Sequence, residues 1–251
     1  MKALLRVLIP MMVLGYYRRF RRRLAQKKNA KKTAEEVFTK IYEENKWGGA
    51  KGEFCSGAGS LDVKVVAEYT DLIFGQASTE GFRDLIFIDL GCGDFRVGEK
   101  LLPLCGKYIG VDVVEPIVSR NQKKFGSATI RFLHLDIVRD ELPDGDVCFV
   151  RQVLQHLSNE QISVVVKKLR KFRWVFVTEH YPTDNDAIIP NVDKVQGSDI
   201  RIYDNSGVYL SEHPFNVDAR ELTELLCVPS PGPQDGNDHG VIRTFLFKPM
   251  G

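Results

Sequence analysis

Two glycines and a carboxylate are the residues of this chain that point most directly to chemistry. The apolar stretch Phe87–Leu90 runs into a turn that holds Gly91 and Gly93, and a second apolar stretch ends further along at Asp112. Glycines let a backbone approach a ligand closely, and a carboxylate at the next strand end can accept hydrogen bonds from ribose hydroxyls. The pattern therefore predicts a pocket for a nucleotide or a nucleoside.

Arg96, which follows this turn, distinguishes between a dinucleotide and a nucleoside as the ligand. The dinucleotide fingerprint Gly-x-Gly-x-x-Gly would place its third glycine at position 96, where this chain has Arg96. A pyrophosphate needs a helix N-terminus packed close to the strand, and the bulky Phe95 and Arg96 occupy that place. The pattern favours a nucleoside without a pyrophosphate and argues against a nucleotide-linked oxidoreductase.

The elements that must position these residues alternate between strands and helices. We predict strands at 85–90, 108–112, 130–136, 146–150, 174–179 and 241–247, with helices at 97–104, 115–125 and 159–169. The five strands that alternate with helices are short and apolar on both faces, as in a parallel sheet that is covered on both sides. The predicted fold class is α/β, with an open, doubly wound, mostly parallel, Rossmann-like sheet and ligands at the carboxyl ends of its strands.

The chain divides into three predicted parts. Residues 1–32 are an apolar and basic segment, residues 33–84 a helical cap with a glycine-rich loop, and residues 85–251 the catalytic domain that binds the nucleoside. Within the catalytic domain, the stretch 181–216 has little periodicity and is expected to be a lid or substrate loop, or else disordered.

The regions around and after this core have their own local patterns. Apolar residues at spacings of three and four predict cap helices at 32–44 and 61–74, on either side of the glycine-rich loop 47–60. A short helix is predicted at 218–226 with Asp218 as its N-cap, followed by a turn-rich linker at 229–239.

The block Asp89-Leu-Gly-Cys-Gly93, followed by Asp112, resembles the first two motifs of class I S-adenosylmethionine-dependent methyltransferases. The resemblance extends over roughly residues 38–216 to a bacterial-type group, of which some members are associated with glycan synthesis. It is carried further by Trp47-Gly, Ser56–Ser60, Val153–Ser158, Arg201, Asp204 and Pro214-Phe215. It implies S-adenosylmethionine as the cofactor and suggests that loop 47–60 folds over it as a cap.

The resemblance also implies the cofactor contacts, residue by residue. In that family an acidic residue after the third strand contacts the adenine amino group and the next apolar residue packs on the ring, which corresponds here to Asp136 and Ile137. The full set of expected cofactor-binding residues is Asp89, Gly91, Cys92, Gly93, Asp112, Val113, Asp136, Ile137, Arg151 and Gln152.

Ionisable residues at the ends of the fourth and fifth strands are candidates for chemistry on the methyl acceptor. Arg151 lies where the methyl group should meet its acceptor, and Glu179 and His180 follow the fifth strand. A histidine or carboxylate there can take a proton from a hydroxyl group. We therefore predict catalytic roles for these three residues, with an ordinary salt bridge for Arg151 and a loop position for His180 as the alternatives. For His156, structural or cofactor-side packing is favoured at least as strongly as base catalysis.

The acceptor itself is only broadly indicated. We predict acceptor contacts by Trp47, Ser56 and Arg201, and arginine forks at positions 151, 201 and 243 could bind an anionic group. The chain has no Asn-Pro-Pro-Tyr type signature after the fourth strand, which favours a small-molecule or glycan acceptor and methylation at oxygen. The alternative is a non-catalytic scaffold of the same fold, which binds the cofactor without transferring its methyl group.

Composition excludes some partners. The chain has 251 residues and a net charge of +2, but residues 1–32 hold eleven lysines and arginines and no acid. The other 219 residues hold 24 basic and 33 acidic side chains, a net of −9, which does not favour nucleic acid as the substrate. The five scattered cysteines are typical of a reducing compartment, so we predict a cytoplasmic location, and no metal-ligand spacing is visible.

The N-terminal segment combines an apolar stretch with a basic cluster. The longest uncharged run, 7–17, is shorter than the roughly twenty residues that a membrane-spanning helix needs. An apolar patch followed by the cluster Arg18–Arg23 suits a segment that lies on the anionic inner face of a membrane. A disordered basic tail, or an incorrectly assigned start codon, is the alternative interpretation.

Overall fold

The computed structural model describes residues 11–50, 52–183, 187–231 and 240–250. Its centre is a seven-stranded sheet with the strand order β3-β2-β1-β4-β5-β7-β6. The strands are β1 (Ile86–Leu90), β2 (Lys107–Asp112), β3 (Ile130–His134), β4 (Val147–Arg151), β5 (Trp174–Pro182), β6 (Leu222–Pro229) and β7 (Gly240–Phe247). Strands β1 to β5 are parallel, whereas β7 is antiparallel to both of its neighbours. This confirms the predicted open, mostly parallel α/β sheet.

The helices cover both faces of this sheet. They are α1 (Met11–Asn29), α2 (Ala34–Glu43), α3 (Ala58–Leu61), α4 (Val63–Glu80), α5 (Gly98–Leu101), α6 (Glu115–Phe125) and α7 (Asn159–Leu169). Helices α6 and α7 begin and end at the residues that the sequence predicts. Capping boxes fix the starts of α2 and α7, where Thr33 pairs with Glu36 and Ser158 with Gln161.

Two apolar layers hold the sheet between the helices. On one side, α2 and α7 pack on the sheet through residues such as Ile41 and Ile162. On the other side, α4 packs through Tyr69 and Ile73 against an aromatic group that includes Phe149. Because both faces are covered in this way, the carboxyl ends of the strands are the part of the sheet left open to a ligand.

The predicted helix at 218–226 is wrong. Asp218 does cap a helical turn, since its carboxylate accepts a hydrogen bond from the Arg220 backbone N–H at 2.9 Å, but this 3₁₀ turn ends at Glu221. The following residues form β6, which pairs with β7 and contains an irregularity between Glu224 and Leu226. Pairing with a strand that comes later in the chain overrides the local helical spacing, and no local pattern reports it.

The long stretch after β5 is largely irregular, as predicted, although its first residues continue β5 to Pro182 and a 3₁₀ turn forms at Arg201–Asp204. Of the predicted linker at 229–239, residues 232–239 lie outside the described residues, as do residues 184–186 of the long loop. The division into three parts remains a prediction.

The basic N-terminal segment forms helix α1 from Met11 onward, while residues 1–10 lie outside the described part of the chain. Among the described helices, none is both long and apolar enough to cross a bilayer. Helix α1 contacts the loop at 196–204, with the Asn29 side chain donating to the Gln196 carbonyl at 3.1 Å. The segment is therefore attached to the α/β body near the open end of the sheet.

Candidate active site

A cleft of about 330 Å³ opens at the carboxyl ends of β1, β2, β4 and β5. Helix α2 and the described residues of the loop after it, Trp47 and Ser56–Ser60 among them, form its roof. The strand order changes direction between β1 and β4, and open α/β sheets bind ligands at such a point. The volume lies within the range of about 300–1,000 Å³ that is usual for small-molecule sites.

The turn after β1 forms one wall of the cleft and requires its glycines. Gly91 has φ +74° and Gly93 has φ +52°, a left-handed conformation that side chains disfavour. A Cβ atom on Gly91 would lie 2.5 Å from Val153 Cγ2, and one on Gly93 would overlap the Ser56 hydroxyl. Cys92, between them, lines the cleft and donates its backbone N–H to the Val111 carbonyl at 3.0 Å.

Asp112 ends β2 beside this turn and organises it. One carboxylate oxygen accepts the Gly93 backbone N–H at 3.0 Å and the other accepts the Val114 N–H at 3.0 Å. Burial raises the pKa of this carboxyl group, and these backbone donors oppose the rise. Each oxygen has a second lone pair, so Asp112 can accept ribose hydroxyls while it holds the turn.

Asp89, two residues before Gly91, lies in the floor of the cleft. The Tyr108 hydroxyl donates a hydrogen bond to its carboxylate. Burial raises the pKa of Asp89 to about 6, while the Tyr108 hydrogen bond and the Arg151 charge lower it. An acidic group that is held in this way can face the cationic part of a ligand above it.

The far end of the cleft is apolar and suits a flat ring. Val113, Leu135, Ile137 and Val138 line it together with Asp136. The Asp136 carboxylate accepts the Val138 backbone N–H at 2.9 Å. The geometry thus brings Asp136 and Ile137 to the same end of the cleft as Asp112.

These residues fit S-adenosylmethionine. Asp112 offers acceptors for the ribose, the wall around Ile137 offers an apolar surface for adenine, and the glycine turn with Asp89 faces the remaining space. The ionisable residues named at this end of the cleft, Asp89, Asp112 and Asp136, are carboxylates, and a pyrophosphate would need cations instead.

The roof is fastened to the glycine turn by Ser56. Its hydroxyl accepts the Asp94 backbone N–H at 2.9 Å, and its own backbone N–H donates to the Asp94 carboxylate at 3.3 Å. Trp47 packs nearby, with ring centroids 5.0 Å from Tyr42 and 5.1 Å from His156. Both predicted acceptor residues of this loop therefore lie in the cleft, where they close the roof over the turn.

Arg151 and Gln152 line the cleft after β4, but both are held by the protein. The Arg151 guanidinium donates to the Ser60 hydroxyl at 3.2 Å and to the Gly59 carbonyl at 2.6 Å, and it lies 5.1 Å from the Tyr69 ring centroid. Gln152 has φ +57° and donates its backbone N–H to the Thr178 carbonyl at 2.6 Å. Arg151 therefore anchors the roof as well as facing the cleft.

Glu179 does not occupy the position that a catalytic role requires. It is fully buried, it does not line the cleft, and its carboxylate accepts the backbone N–H groups of Val153, Leu154 and Gln155 at 2.8–3.1 Å. Burial raises its pKa to about 7, and those backbone donors oppose the rise. The structure corrects the prediction, since Glu179 caps the 3₁₀ turn after β4.

Arg201 is likewise not placed to bind an acceptor. It is 2% exposed, does not line the cleft, and donates five hydrogen bonds, to four backbone carbonyls and the Asn159 side chain. Arg243, the third predicted anion-binding arginine, lies 3.7 Å from Glu224 and also outside the cleft lining. Of the three arginines, only Arg151 faces the cleft.

His180 is the ionisable group of the β5 end that does face the cleft. Its backbone N–H donates to the Gln155 side chain at 3.3 Å, which fixes its position at the rim. Burial lowers the pKa of its imidazole to about 4, so the ring is neutral at physiological pH. A neutral imidazole can accept a hydrogen bond or a proton.

His156 has a structural position. Its Nδ1 donates to the Gly197 carbonyl at 3.1 Å, and its ring packs against Trp47 at 5.1 Å between centroids. Burial lowers its pKa to about 3, and the nearby Lys194 charge adds to this. It joins the roof to the long loop, which agrees with the packing interpretation.

Several cleft residues are not in the predicted site. They include Phe38, Tyr42, Tyr69, Gln155, Ser198, Ile200, Tyr203 and Ile242. Tyr42 and Tyr69 stand on helices with regular apolar spacing, so the sequence indicates them as core. Gln155 belongs to the motif Val153–Ser158 after β4, so among these residues it is the one that the sequence pattern could have indicated.

Comparisons with known proteins agree with this geometry. Residues 87–172 match the family model described as a methyltransferase domain. The uncharacterized methyltransferase Rv0089 of Mycobacterium tuberculosis (strain ATCC 25618 / H37Rv) is 32% identical over 79 residues, which are 31% of this chain and 40% of that protein. The matched segment thus spans less than half the length of this relative.

Two solved structures share the fold over most of the chain. The 1,6-didemethyltoxoflavin-N1-methyltransferase of Burkholderia thailandensis, with bound 1,6-didemethyltoxoflavin and S-adenosylhomocysteine, is 14% identical with a TM-score of 0.54 and covers 84% of this chain and 85% of that one. The [4+2]-cyclase SpnF is 13% identical with a TM-score of 0.54 and covers 86% and 94%, respectively. At these identities the likeness shows the fold alone.

The sheet, the glycine turn and the Asp112 carboxylate fit a site for S-adenosylmethionine, and the turn and Asp112 lie within the segment that matches a methyltransferase domain. That segment, residues 87–172, runs from β1 into the loop after α7.

Asp112→Ala is expected to weaken S-adenosylmethionine binding by about 1.5–3 kcal/mol, the range for hydrogen bonds to a charged group. The loss has two sources, since the variant removes the ribose acceptor and releases the Gly93 N–H. Isothermal titration calorimetry on folded protein measures it. Asp144→Ala, at a surface carboxylate that is 98% exposed, is the matched control and should not change the affinity. An unchanged affinity of Asp112→Ala would show that the ribose binds elsewhere.

Proposed function

We propose that the protein transfers the methyl group of S-adenosylmethionine to an oxygen atom of a small-molecule or glycan acceptor. The observation that carries the proposal is the continuity of the cleft. One end holds the glycine turn, Asp112 and Asp136, and the same cleft extends to Arg151 and His180 at the ends of β4 and β5. A donor and an acceptor can therefore meet within one enclosed space.

The residues of the chain have separate tasks in this reaction. S-adenosylmethionine supplies an electrophilic methyl group on a sulfonium. Asp112 and the glycine turn hold the donor end, while the roof around Trp47 excludes water, so that the acceptor oxygen can approach in line with the bond that breaks. The neutral imidazole of His180 would accept the proton that the acceptor hydroxyl loses when its oxygen takes up the methyl group.

The class of acceptor follows from the character of the rim. His180 suits a hydroxyl group, which needs a proton acceptor. Residues 33–251 carry a net charge of −9, which does not favour nucleic acid as the acceptor. The toxoflavin enzyme with the same fold acts on a small molecule, which supports an acceptor of that size. All five cysteines are free thiols, which supports a cytoplasmic location.

The test is turnover. Purified protein with S-adenosylmethionine and fractionated small-molecule and glycan extracts should form S-adenosylhomocysteine, and mass spectrometry of the active fraction should show an acceptor heavier by one methyl group. Asp112→Ala assayed with the same fractions is the control for cofactor-dependent product. Methylation of added nucleic acid with no product from any extract would contradict the proposed acceptor class.

A cofactor-binding scaffold is the second candidate. The observation in its favour is that a structure of this fold is described as a [4+2]-cyclase, so the fold is not confined to methyl transfer. This alternative predicts S-adenosylmethionine binding in calorimetry with no release of S-adenosylhomocysteine beyond that of Asp112→Ala.

A further inference from the structure

Helix α1 has two faces of different character, and one of them is bound to the body of the protein. Arg22 donates to both carboxylate oxygens of Asp204 at 3.2 Å, and Gln26 donates to the Asp199 carboxylate at 3.2 Å. Asn29 continues the same face. Spacings of four and three residues place these side chains in one row along the helix.

This inner face of α1 (Arg22, Gln26 and Asn29) contacts a segment that also lines the cleft. Ser198, Ile200 and Tyr203 of that loop contribute to the cleft wall. The Arg22 guanidinium lies 5.2 Å from the centroid of the Tyr203 ring. Helix α1 therefore holds the loop that closes one side of the cleft.

The opposite face of α1 is apolar at its centre and basic at its edges. Phe20 is 51% exposed and Leu24 is 49% exposed, and the two lie four residues apart in one row. Exposed lysines and arginines of the helix flank the row, namely Arg21, Arg23, Lys27 and Lys28. No acidic residue occurs anywhere in residues 1–32. We call these six residues of the helix the outer face of α1.

We propose that the outer face of α1 binds the surface of an anionic lipid bilayer. Phe20 and Leu24 would enter the boundary between headgroups and acyl chains, while the flanking cations contact the anionic headgroups. Charge complementarity selects this partner, because a nucleic acid would satisfy the cations but offers no apolar layer to the Phe20 and Leu24 row. The acidic remainder of the chain is repelled by the same bilayer, which leaves α1 as the contact.

The two faces of α1 link the membrane to the cleft. Because the inner face holds the loop at 196–204 through Arg22 and Gln26, a helix fixed on a bilayer holds that loop more firmly. It also places the cleft close to the membrane surface. This last step rests on the proposed function: the acceptor is then a hydroxyl compound that is presented at that surface.

Flotation with vesicles tests the binding step. The full chain should float with vesicles that contain phosphatidylserine and not with pure phosphatidylcholine. The double variant Leu24→Ser/Lys27→Glu should bind more than about tenfold more weakly, since each basic residue near an anionic surface contributes about a factor of five to ten. The matched control is Val63→Ser/Lys64→Glu on α4, where Val63 is 83% exposed and the charge change is identical.

The outcomes of this test are decisive and do not involve methyl transfer. The proposal is supported if the control variant still floats with the anionic vesicles and the α1 variant does not. Failure of the full chain to float, equal loss in both variants, or binding to nucleic acid without binding to vesicles would overturn it. Turnover measured in the absence of lipid decides the proposed function separately.

Hydrogen–deuterium exchange tests the link to the cleft. Anionic vesicles should slow exchange in the segment 196–204 of the full chain. Arg22→Gln removes the Asp204 contact but leaves the outer face intact, so this variant should still float while exchange in that segment is no longer slowed. Unchanged exchange in the full chain on vesicles would show that membrane binding and the loop are independent.

Discussion

Arg201→Met is expected to lower the free energy of unfolding by about 4 kcal/mol, since several buried carbonyl groups would lose their donors at about 1–3 kcal/mol each. Arg201 donates to Val192, Leu154, Gln155 and Leu157 carbonyls at 2.9–3.3 Å, and to Asn159 at 2.8 Å. Methionine fills similar space but offers no donor. Urea unfolding followed by circular dichroism measures the difference.

The control for this variant is Arg220→Met. Arg220 is a surface residue paired with Asp218, and such exposed pairs are screened by solvent and contribute little to stability. If Arg201→Met does not fold, Arg201→Lys keeps a charge while losing the planar fork and should show a smaller loss of the same sign. Equal stability of the Arg201 and Arg220 variants would contradict the role of Arg201 as the link between the long loop and the turn after β4.

The elements that the sequence predicts well are those with local signals. Helix α7 starts at a capping box of Ser158 and Gln161, and the glycine turn follows directly from two residues that tolerate positive φ. Asp112 follows because a carboxylate at the end of a buried strand must lie beside that turn. In each case the residues that determine the structure are neighbours in the chain.

The parts that could not be predicted depend on contacts between distant segments. Glu179 and His180 are adjacent and ionisable, and the sequence gives no means of telling which faces the cleft. Successive side chains of a strand point to opposite sides, so Glu179 faces the turn after β4 and His180 faces the cleft. Arg201 is a similar case, because its acceptors belong to segments that precede it by nine to 47 residues.

A second large effect is expected at His180. His180→Gln should lower kcat by about 10²–10³-fold, which is the lower half of the range for general acid–base catalysis, because a group whose pKa is about 4 is a weak base. Glutamine keeps the size and polarity of the side chain but does not accept the proton. The dissociation constant of S-adenosylmethionine should not change, since Asp112 and the glycine turn hold the donor.

The pH profile and a matched variant separate this role from a structural one. With its pKa at about 4, the imidazole is neutral over the range of about pH 5 to pH 8, so protonation of His180 should cause no fall in kcat there; a fall is expected only as the pH drops through about 4. His213→Gln, at an exposed loop histidine, should leave kcat unchanged. If His180→Gln retains full kcat, the acceptor proton passes to solvent and the cleft acts by positioning alone.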